Sequence, residues 1–321
     1  MLNRRILRIK AFKVLYSYSL NSSMSLQEAE SQLQISCEAV RDLYLFMLGV
    51  ISPLAKEASK RIEAAKTKFN PTQEDLNPNR KFADNALAVY FENDPDFKKL
   101  TSRKNLSWEQ YDAFVSKLYD SILTKDYFKK YMSGETSSIG EDVKLFIKIY
   151  EEEFVDNASM DDILEDMSIY WNDDLAYALT ICCRSLEKLV KEKSWNLPPL
   201  YMSEILKLKD PNVDSDKVFV TKLMRAAFTG FEKYSTMVSE SVTKWDRDRL
   251  FSTDLVLIAL GLAEAKTFSE IPVKVTINEY VEISKYYSTP KSSSFVNGLL
   301  DKLIQAMVES GDVVKSGKGL L

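Results

Sequence analysis

Apolar side chains recur at helical spacing through most of this chain, and few residues interrupt them. The 321 residues include only 9 Gly and 9 Pro, the residue types that most often end a helix. The alternation of apolar and polar residues that is typical of strands is scarce. Because 45% of the residues are apolar, a chain of this length can bury a substantial core. We therefore predict an all-α protein built from long helices.

Polar segments and prolines divide this pattern into separate helices. We predict a first helix over 3–20 and a long helical region over 26–69. That region should break near Ser52 and Pro53, since the residue before a proline disfavours the helical conformation. Residues 195–218, which include Pro198, Pro199 and Pro211, are interpreted as a connection. Further helices are predicted over 82–92, 107–119, 125–132, 139–155, 160–170, 174–193 and 219–242.

Three more helices are predicted toward the C-terminus. Thr253, Thr276 and the serines at 292–294 are their predicted N-caps, because short hydroxyl side chains accept hydrogen bonds from the first turn of a helix. Gly298 lies inside the last helix, where glycine costs about 1 kcal/mol relative to alanine. That cost favours a close approach of another helix at Gly298. The serine-rich corner also carries Lys291 and suits a phosphate, so the residues alone support either a structural or a binding role.

The sequence lacks the residues on which several classes of enzyme depend. It contains no histidine, which excludes Ser-His-Asp and Cys-His pairs, histidine zinc sites and a histidine general base. The phosphate-binding patterns G-x-x-x-x-G-K-[ST] and G-x-G-x-x-G are also missing. We therefore expect no enzyme activity and no catalytic, metal or cofactor site.

Three features favour a soluble, cytoplasmic protein. Cys37 stands alone and Cys182 adjoins Cys183, which is not the pattern of a disulfide framework. The basic N-terminus does not resemble a secretory leader, because Lys10 and Lys13 interrupt its apolar run. The longest apolar stretches without charge are too short to span a bilayer. We expect no membrane contact.

Charge is distributed unevenly along the chain, although the net charge is only −4. Residues 141–174 hold twelve acids and two lysines, a pattern typical of a solvated acidic face. Residues 1–20 hold five basic residues and no acid. Cations near the start of a helix are mildly unfavourable, so helix stability does not explain this cluster. An anionic partner would explain it, and so would acidic neighbours in the fold.

A succession of short motifs occurs in the first helix and in the C-terminal part. The first helix contributes R-R-x-x-R followed by A-F-K-V-L-Y. The C-terminal motifs are W-x-x-x-R-L (Trp245, Arg249, Leu250), Asp254, Ala263-Glu264, Ile271-Pro272, V-x-I-N-E (275–279) and F-V-N-G-x-L-D-K (295–302). Each motif is weak alone, but their order and spacing over about 95 residues resemble the NusB family of bacterial transcription antitermination factors.

The resemblance implies a non-catalytic helical bundle. Paired with NusE, a small-subunit ribosomal protein, such proteins bind boxA sequences of nascent ribosomal RNA and join the RNA polymerase antitermination complex. Phenylalanine and asparagine suit single-stranded RNA, which is bound by base stacking and hydrogen bonds to base edges. The implied NusE contacts are Tyr16 and Asp254. The implied RNA contacts are Arg4, Arg5, Arg8, Lys10, Lys13, Lys291, Ser293, Ser294, Phe295 and Asn297.

The length of the chain departs from the family pattern. We predict a NusB-like domain from 1–20 and 213–310, a helical insertion over 21–212 and a flexible tail over 311–321. The insertion could pack on the core, offer a docking surface or mask the RNA face. An alternative function is a protein–protein scaffold in which the acidic insertion is the working surface.

Overall fold

The computed structural model describes residues 1–203, 215–242 and 251–320. Over these ranges the secondary structure is helical, with an isolated bridge between Leu2 and Tyr201 and no strand. The all-α prediction is confirmed. The chain forms two compact units, one from Met1–Cys37 with Pro199–Leu321 and one from Glu38–Pro198.

The helices are numbered in chain order over the described residues. The first eleven are α1 Arg4–Leu20, α2 Leu26–Leu48, α3 Ile51–Lys66, α4 Gln73–Leu76, α5 Ala86–Asn93, α6 Pro95–Arg103, α7 Asp112–Thr124, α8 Asp126–Ser133, α9 Ile139–Ile149, α10 Ala158–Met167 and α11 Leu175–Glu192. The last four are α12 Asp216–Val242, α13 Ser252–Thr267, α14 Val273–Tyr287 and α15 Ser292–Glu309. Trp245, Arg249 and Leu250 of the first C-terminal motif lie outside the described residues.

The break predicted near Ser52 and Pro53 is found a few residues earlier. Helix α2 ends at Leu48, and α3 begins at Ile51 with Pro53 in its first turn. That position tolerates proline, because the first N–H groups of a helix have no partner within it. Pro95 likewise begins α6, which the sequence prediction missed, and Asp94 caps it by accepting from the Phe97 N–H at 2.8 Å.

The predicted threonine caps are wrong, because each hydroxyl has a partner elsewhere in the fold. Helix α13 begins one residue before Thr253, whose Oγ1 lies 3.1 Å from Ser288 Oγ. Helix α14 begins directly after Pro272, so Thr276 lies one turn inside it. Its buried hydroxyl donates to Glu264 Oε1 at 3.0 Å.

The serines of α15 also differ from the prediction. Lys291 is the N-cap residue and makes no capping bond through its side chain. Ser292 donates its hydroxyl to Asp254 Oδ2 at 2.8 Å instead of accepting from the helix. The expectation of close packing at Gly298 is wrong as well, since a Cβ built there would meet nothing within 4 Å.

Helix α13 forms the centre of the first unit. It is buried almost all round, and α1, α12, α14 and α15 pack against it. Gly261 of α13 allows α15 to come close, because a Cβ there would lie 2.6 Å from Leu300 Cδ2. In this packing, side chains far apart in sequence meet at one face of α14.

The Glu38–Pro198 unit has its own core, centred on aromatic rings. Phe46 stacks on Trp108 with ring centroids 4.3 Å apart. Asp142 is buried beside the start of α5, where it accepts from the Ala86 N–H at 2.7 Å and from the Tyr131 hydroxyl at 2.6 Å. This part of the chain therefore folds around apolar and polar contacts of its own.

Residues beyond α15 make specific contacts in the first unit. Lys315 Nζ donates to the carbonyl oxygens of Ala265 and Phe268 at 2.8 and 2.9 Å, and Val313 is buried. These contacts lie in the segment 311–321, for which the sequence suggested a flexible tail. The predicted domain limits stay a prediction. One of them, position 213, is not among the described residues. Among the described helices, none combines the length and apolar character needed to cross a membrane.

Candidate nucleic-acid interface

Helix α1 lies beside α14 and runs in the same direction. Asn3 begins α1 by accepting from the Ile6 N–H at 3.0 Å. Near this end, Arg5 contacts Glu279 of α14. About two helical turns further on, Phe12 meets Tyr287 with ring centroids 5.3 Å apart. The basic side chains of α1 are therefore arrayed along α14 toward the corner that begins α15.

Arg8 is held inside the fold. It is 3% exposed, and its Nε and Nη2 donate to Glu264 Oε2 and Oε1 at 2.7 and 2.8 Å. Glu264 also accepts from Tyr280 at 3.0 Å. Burial lowers the pKa of Arg8, but the attraction of Glu264 outweighs burial and raises that pKa above its ordinary value. Arg8 therefore stays charged and joins α1 to α13.

Arg5 forms a similar pair at the surface. Its Nε and Nη2 donate to Glu279 Oε2 and Oε1 at 3.0 and 2.8 Å. Arg8 Nη1 also lies 3.4 Å from Glu279 Oε2. The hydrogen bond from Arg5 lowers the pKa of Glu279 below its ordinary value, against the opposing effect of burial. Half of the Arg5 side chain remains accessible, with an exposed fraction of 50%.

Arg4 lies between an aromatic ring and a carboxylate. Its guanidinium carbon is 4.7 Å from the centroid of the Phe219 ring, and its Nε is 3.4 Å from Asp216 Oδ1. Asp216 is fixed in turn, since it accepts from the Ser203 N–H at 2.7 Å. Arg4 is thus partly exposed and oriented by contacts on α12.

The remaining predicted residues of α1 differ in exposure. Lys10 is fully buried. Lys13 is partly exposed, with Nζ 5.8 Å from the centroid of the Tyr287 ring. Tyr16, the predicted partner contact, is also partly exposed and stacks on Phe12 at 6.0 Å. Of these three residues, Lys13 and Tyr16 can reach a ligand from the surface.

Hydrogen-bonded hydroxyl groups lie beneath the serine corner, the segment 288–297 that leads into α15. Ser288 donates to Ser292 at 2.9 Å, and Ser292 donates to Asp254. Asp254 is 1% exposed, so this predicted partner contact lies under the corner. By accepting from Ser292, its carboxylate fixes the start of α15.

The outer side of the corner carries polar groups. Lys291, Ser294 and Asn297 are exposed, whereas Ser293 and Phe295 are partly buried. Ser294 and Asn297 are three residues apart and therefore share one face of α15. Gly298 follows on the exposed surface with open space beside it. A ligand can thus approach the helix backbone closely here.

Helix α14 connects the two groups of predicted residues. Glu279 and Tyr287 are eight residues apart, or about 12 Å along a helix. Arg5 adjoins the first and Lys13 the second. We call the predicted RNA-contact residues along this path that are at least partly exposed the basic strip: Arg4, Arg5, Lys13, Lys291, Ser293, Ser294, Phe295 and Asn297.

Residue-level prediction missed several side chains of this region. Glu264 and Glu279 were recognised as motif letters, but their pairing with arginines was not predicted. Tyr286 was not singled out, although it is 83% exposed. It lies seven residues after Glu279, so both share one face of α14. The available sequence signal was an aromatic residue seven positions after the glutamate of the V-x-I-N-E motif.

Comparison with protein families gives a match over the C-terminal part. The model of the NusB family matches residues 177–305. This range includes α12, α13, α14, most of α15 and the C-terminal motifs of the resemblance, but not the arginine motif of α1. No solved structure matches the chain.

Three curated relatives carry the name transcription antitermination protein NusB. The protein from Chloroherpeton thalassium is 35% identical over 105 residues, 33% of this chain and 50% of the relative. That from Salinibacter ruber is 32% identical over 107 residues, 33% of this chain and 67% of the relative. That from Clostridium novyi is 34% identical over 124 residues, 37% of this chain and 92% of the relative. The chain thus spans only half the length of the first relative, and almost the whole of the third.

Proposed function

The chain belongs to the NusB family, and on this premise we propose that it acts in transcription antitermination. It binds boxA-type single-stranded RNA of nascent ribosomal RNA transcripts together with NusE. In that complex it helps RNA polymerase avoid premature termination. The names of the three relatives support the general function, and the basic strip supports RNA as the ligand.

The observation that carries this proposal is the arrangement of cations along α14. Arg5 lies at one end of the basic strip, Lys13 further along, and Lys291 at the serine corner. Cations spaced along a path can follow an RNA backbone, and single-stranded RNA binding depends strongly on such contacts. Arg8 and Lys10 are buried, so they position α1 and do not contact the RNA.

Base contacts are assigned to the exposed side of the serine corner. Asn297 offers hydrogen bonds to a base edge, and Phe295 offers part of its ring for stacking. Ser293 and Ser294 supply hydroxyls beside them. Tyr286 is a further candidate for stacking, since its ring is largely exposed on the adjoining helix.

The partner contact is assigned to the far end of α1. Tyr16 presents a partly exposed ring there, and aromatic residues are enriched in protein interfaces. Asp254 contributes indirectly by fixing Ser292. We further propose that residues 1–20 and 213–310 form the NusB-like part, with 21–212 as a helical insertion.

A binding titration tests the proposal. Fluorescence anisotropy with a boxA-like RNA and a scrambled RNA, with and without NusE, should show sequence-selective binding that NusE strengthens. Arg5→Glu and Lys291→Glu should each weaken binding at least tenfold, because a charge reversal replaces attraction to phosphate by repulsion. Each lost phosphate contact should also reduce the log–log salt slope by about 0.7.

A matched charge reversal outside the basic strip serves as the control. Lys144→Glu, on α9, changes the net charge by as much as Arg5→Glu or Lys291→Glu does. It should leave RNA affinity within twofold of that of the unmodified protein. Absence of binding by the unmodified protein, at low salt and with NusE present, would contradict the RNA proposal. The scaffold alternative would then be the better account of this chain.

A further inference from the structure

Glu279 occupies the Nε and Nη2 donors of Arg5, one edge of the guanidinium that could otherwise bind a phosphate. We propose that Glu279 competes with RNA phosphate for Arg5. Its carboxylate keeps the basic strip partly neutralised until RNA draws Arg5 away. This inference rests on the proposed RNA-binding function and concerns the regulation of that same site.

The geometry of the Arg5–Glu279 pair matches that of an arginine–phosphate contact. Two parallel N–H groups of Arg5 meet the two carboxylate oxygens at 3.0 and 2.8 Å. A phosphate is bound by the same fork of donors. Because one guanidinium edge serves one such ligand at a time, Glu279 and a phosphate compete for it.

Exposure makes this exchange possible for Arg5 and prevents it for Arg8. The Arg5 side chain is 50% exposed, so its guanidinium can turn outward while α1 stays in place. The Arg8 side chain is 4% exposed, and its Nε and Nη2 both donate to Glu264. The two arginines of the same motif therefore have different roles.

Glu279 retains a partner when Arg5 leaves. Arg8 Nη1 already lies 3.4 Å from Glu279 Oε2. A carboxylate left without a counter-charge in a partly buried site would oppose the exchange. The contact with Arg8 reduces that cost, so the pair with Arg5 can open without unfolding the site.

Neighbouring charges also act on Arg5. Glu282 attracts it from one turn further along α14, and Arg8 repels it. Glu282 itself forms an ion pair with Lys285 and makes no hydrogen bond to Arg5 among the described contacts. Glu282→Gln is therefore a control with the same change in charge on the same helix.

The experiment measures RNA affinity of the full chain with NusE present, using the boxA-like RNA. Glu279→Gln keeps the shape of the side chain and weakens its hold on Arg5, so affinity should rise roughly three- to tenfold. Glu282→Gln should change affinity by less than twofold. In an Arg5→Gln background, Glu279→Gln should give no increase.

The outcomes separate this inference from the proposed function. Unchanged or weaker binding by Glu279→Gln, with normal binding by the unmodified protein, would show that Glu279 positions Arg5 rather than competing with RNA. An equal gain from Glu282→Gln would reduce the effect to net charge and overturn the inference. Failure of every form to bind RNA would overturn the proposed function and the inference with it. Thermal unfolding of each variant checks that the fold is intact.

Discussion

The two units each bury a carboxylate, and they stabilise it in different ways. In the first unit, Glu264 is fully buried against the guanidinium of Arg8, with hydroxyl donors from Thr276 and Tyr280. In the Glu38–Pro198 unit, Asp142 is equally buried but accepts from neutral groups, the Tyr131 hydroxyl and backbone N–H groups at the start of α5.

This difference shows what each carboxylate contributes to its surroundings. The ion pair on Glu264 joins α1 to α13 and places the arginine motif at the edge of α14. The hydrogen bonds to Asp142 satisfy the free donors that begin α5, a role that needs no cation. One site orders a charged surface, and the other completes a core.

The largest loss of unfolding free energy is expected from removing Arg8, the cation of the ion pair with Glu264. Arg8→Met leaves the Glu264 charge buried without compensation, which typically costs about 3–5 kcal/mol of unfolding free energy. Urea denaturation of the full chain measures this loss. Combining Arg8→Met with Glu264→Leu should restore part of it. A loss below 1 kcal/mol for Arg8→Met would mean that the pair is not structurally important.

A smaller effect is expected at the neutral site. Asp142→Ala leaves the N–H groups of Ala86 and Leu87 and the Tyr131 hydroxyl without their acceptor, at a cost of about 1–3 kcal/mol. Amide hydrogen exchange of α5 is the suitable measurement, because it reports the local opening of one part of a protein. Tyr131→Phe removes a single donor and should cost less. If Asp142→Ala cost as much unfolding free energy as Arg8→Met or more, the comparison between the two units would be contradicted.

The smallest effect concerns pH, and its sign should differ between the units. Burial raises the pKa of Asp142 above 3.8, so its charged form opposes folding at neutral pH and this cost falls as the pH is lowered. The pKa of Glu279 is lowered from 4.5 by Arg5, so its contribution is present above 4.5 and is lost below.

Hydrogen exchange at several pH values between 7 and 4 checks these signs. The stability difference between the unmodified protein and Asp142→Asn should change in favour of the unmodified protein as the pH falls. The corresponding difference for Glu279→Gln should stay constant to about pH 4.5 and then shrink. If both stability differences changed in the same direction as the pH falls, the opposite pKa directions of Asp142 and Glu279 would be contradicted.

Local pattern was sufficient for most helices but not for their first residues. The first helix was predicted over 3–20 and is found at Arg4–Leu20, because apolar periodicity is a property of neighbouring residues. The caps at Thr253 and Thr276 failed because hydroxyls can serve either a helix N-terminus or a distant acceptor. Only packing brought Ser288 and Glu264 within reach of them.

The sequence by itself determined the all-α class, the positions of the long helices and the concentration of basic residues in α1. The tertiary structure decided which of those residues are available to a ligand. Arg5 and Arg8 belong to one motif, yet the carboxylates that hold them lie 274 and 256 residues away in the chain. Burial and ion pairing depend on such distant partners, which periodicity and spacing do not specify.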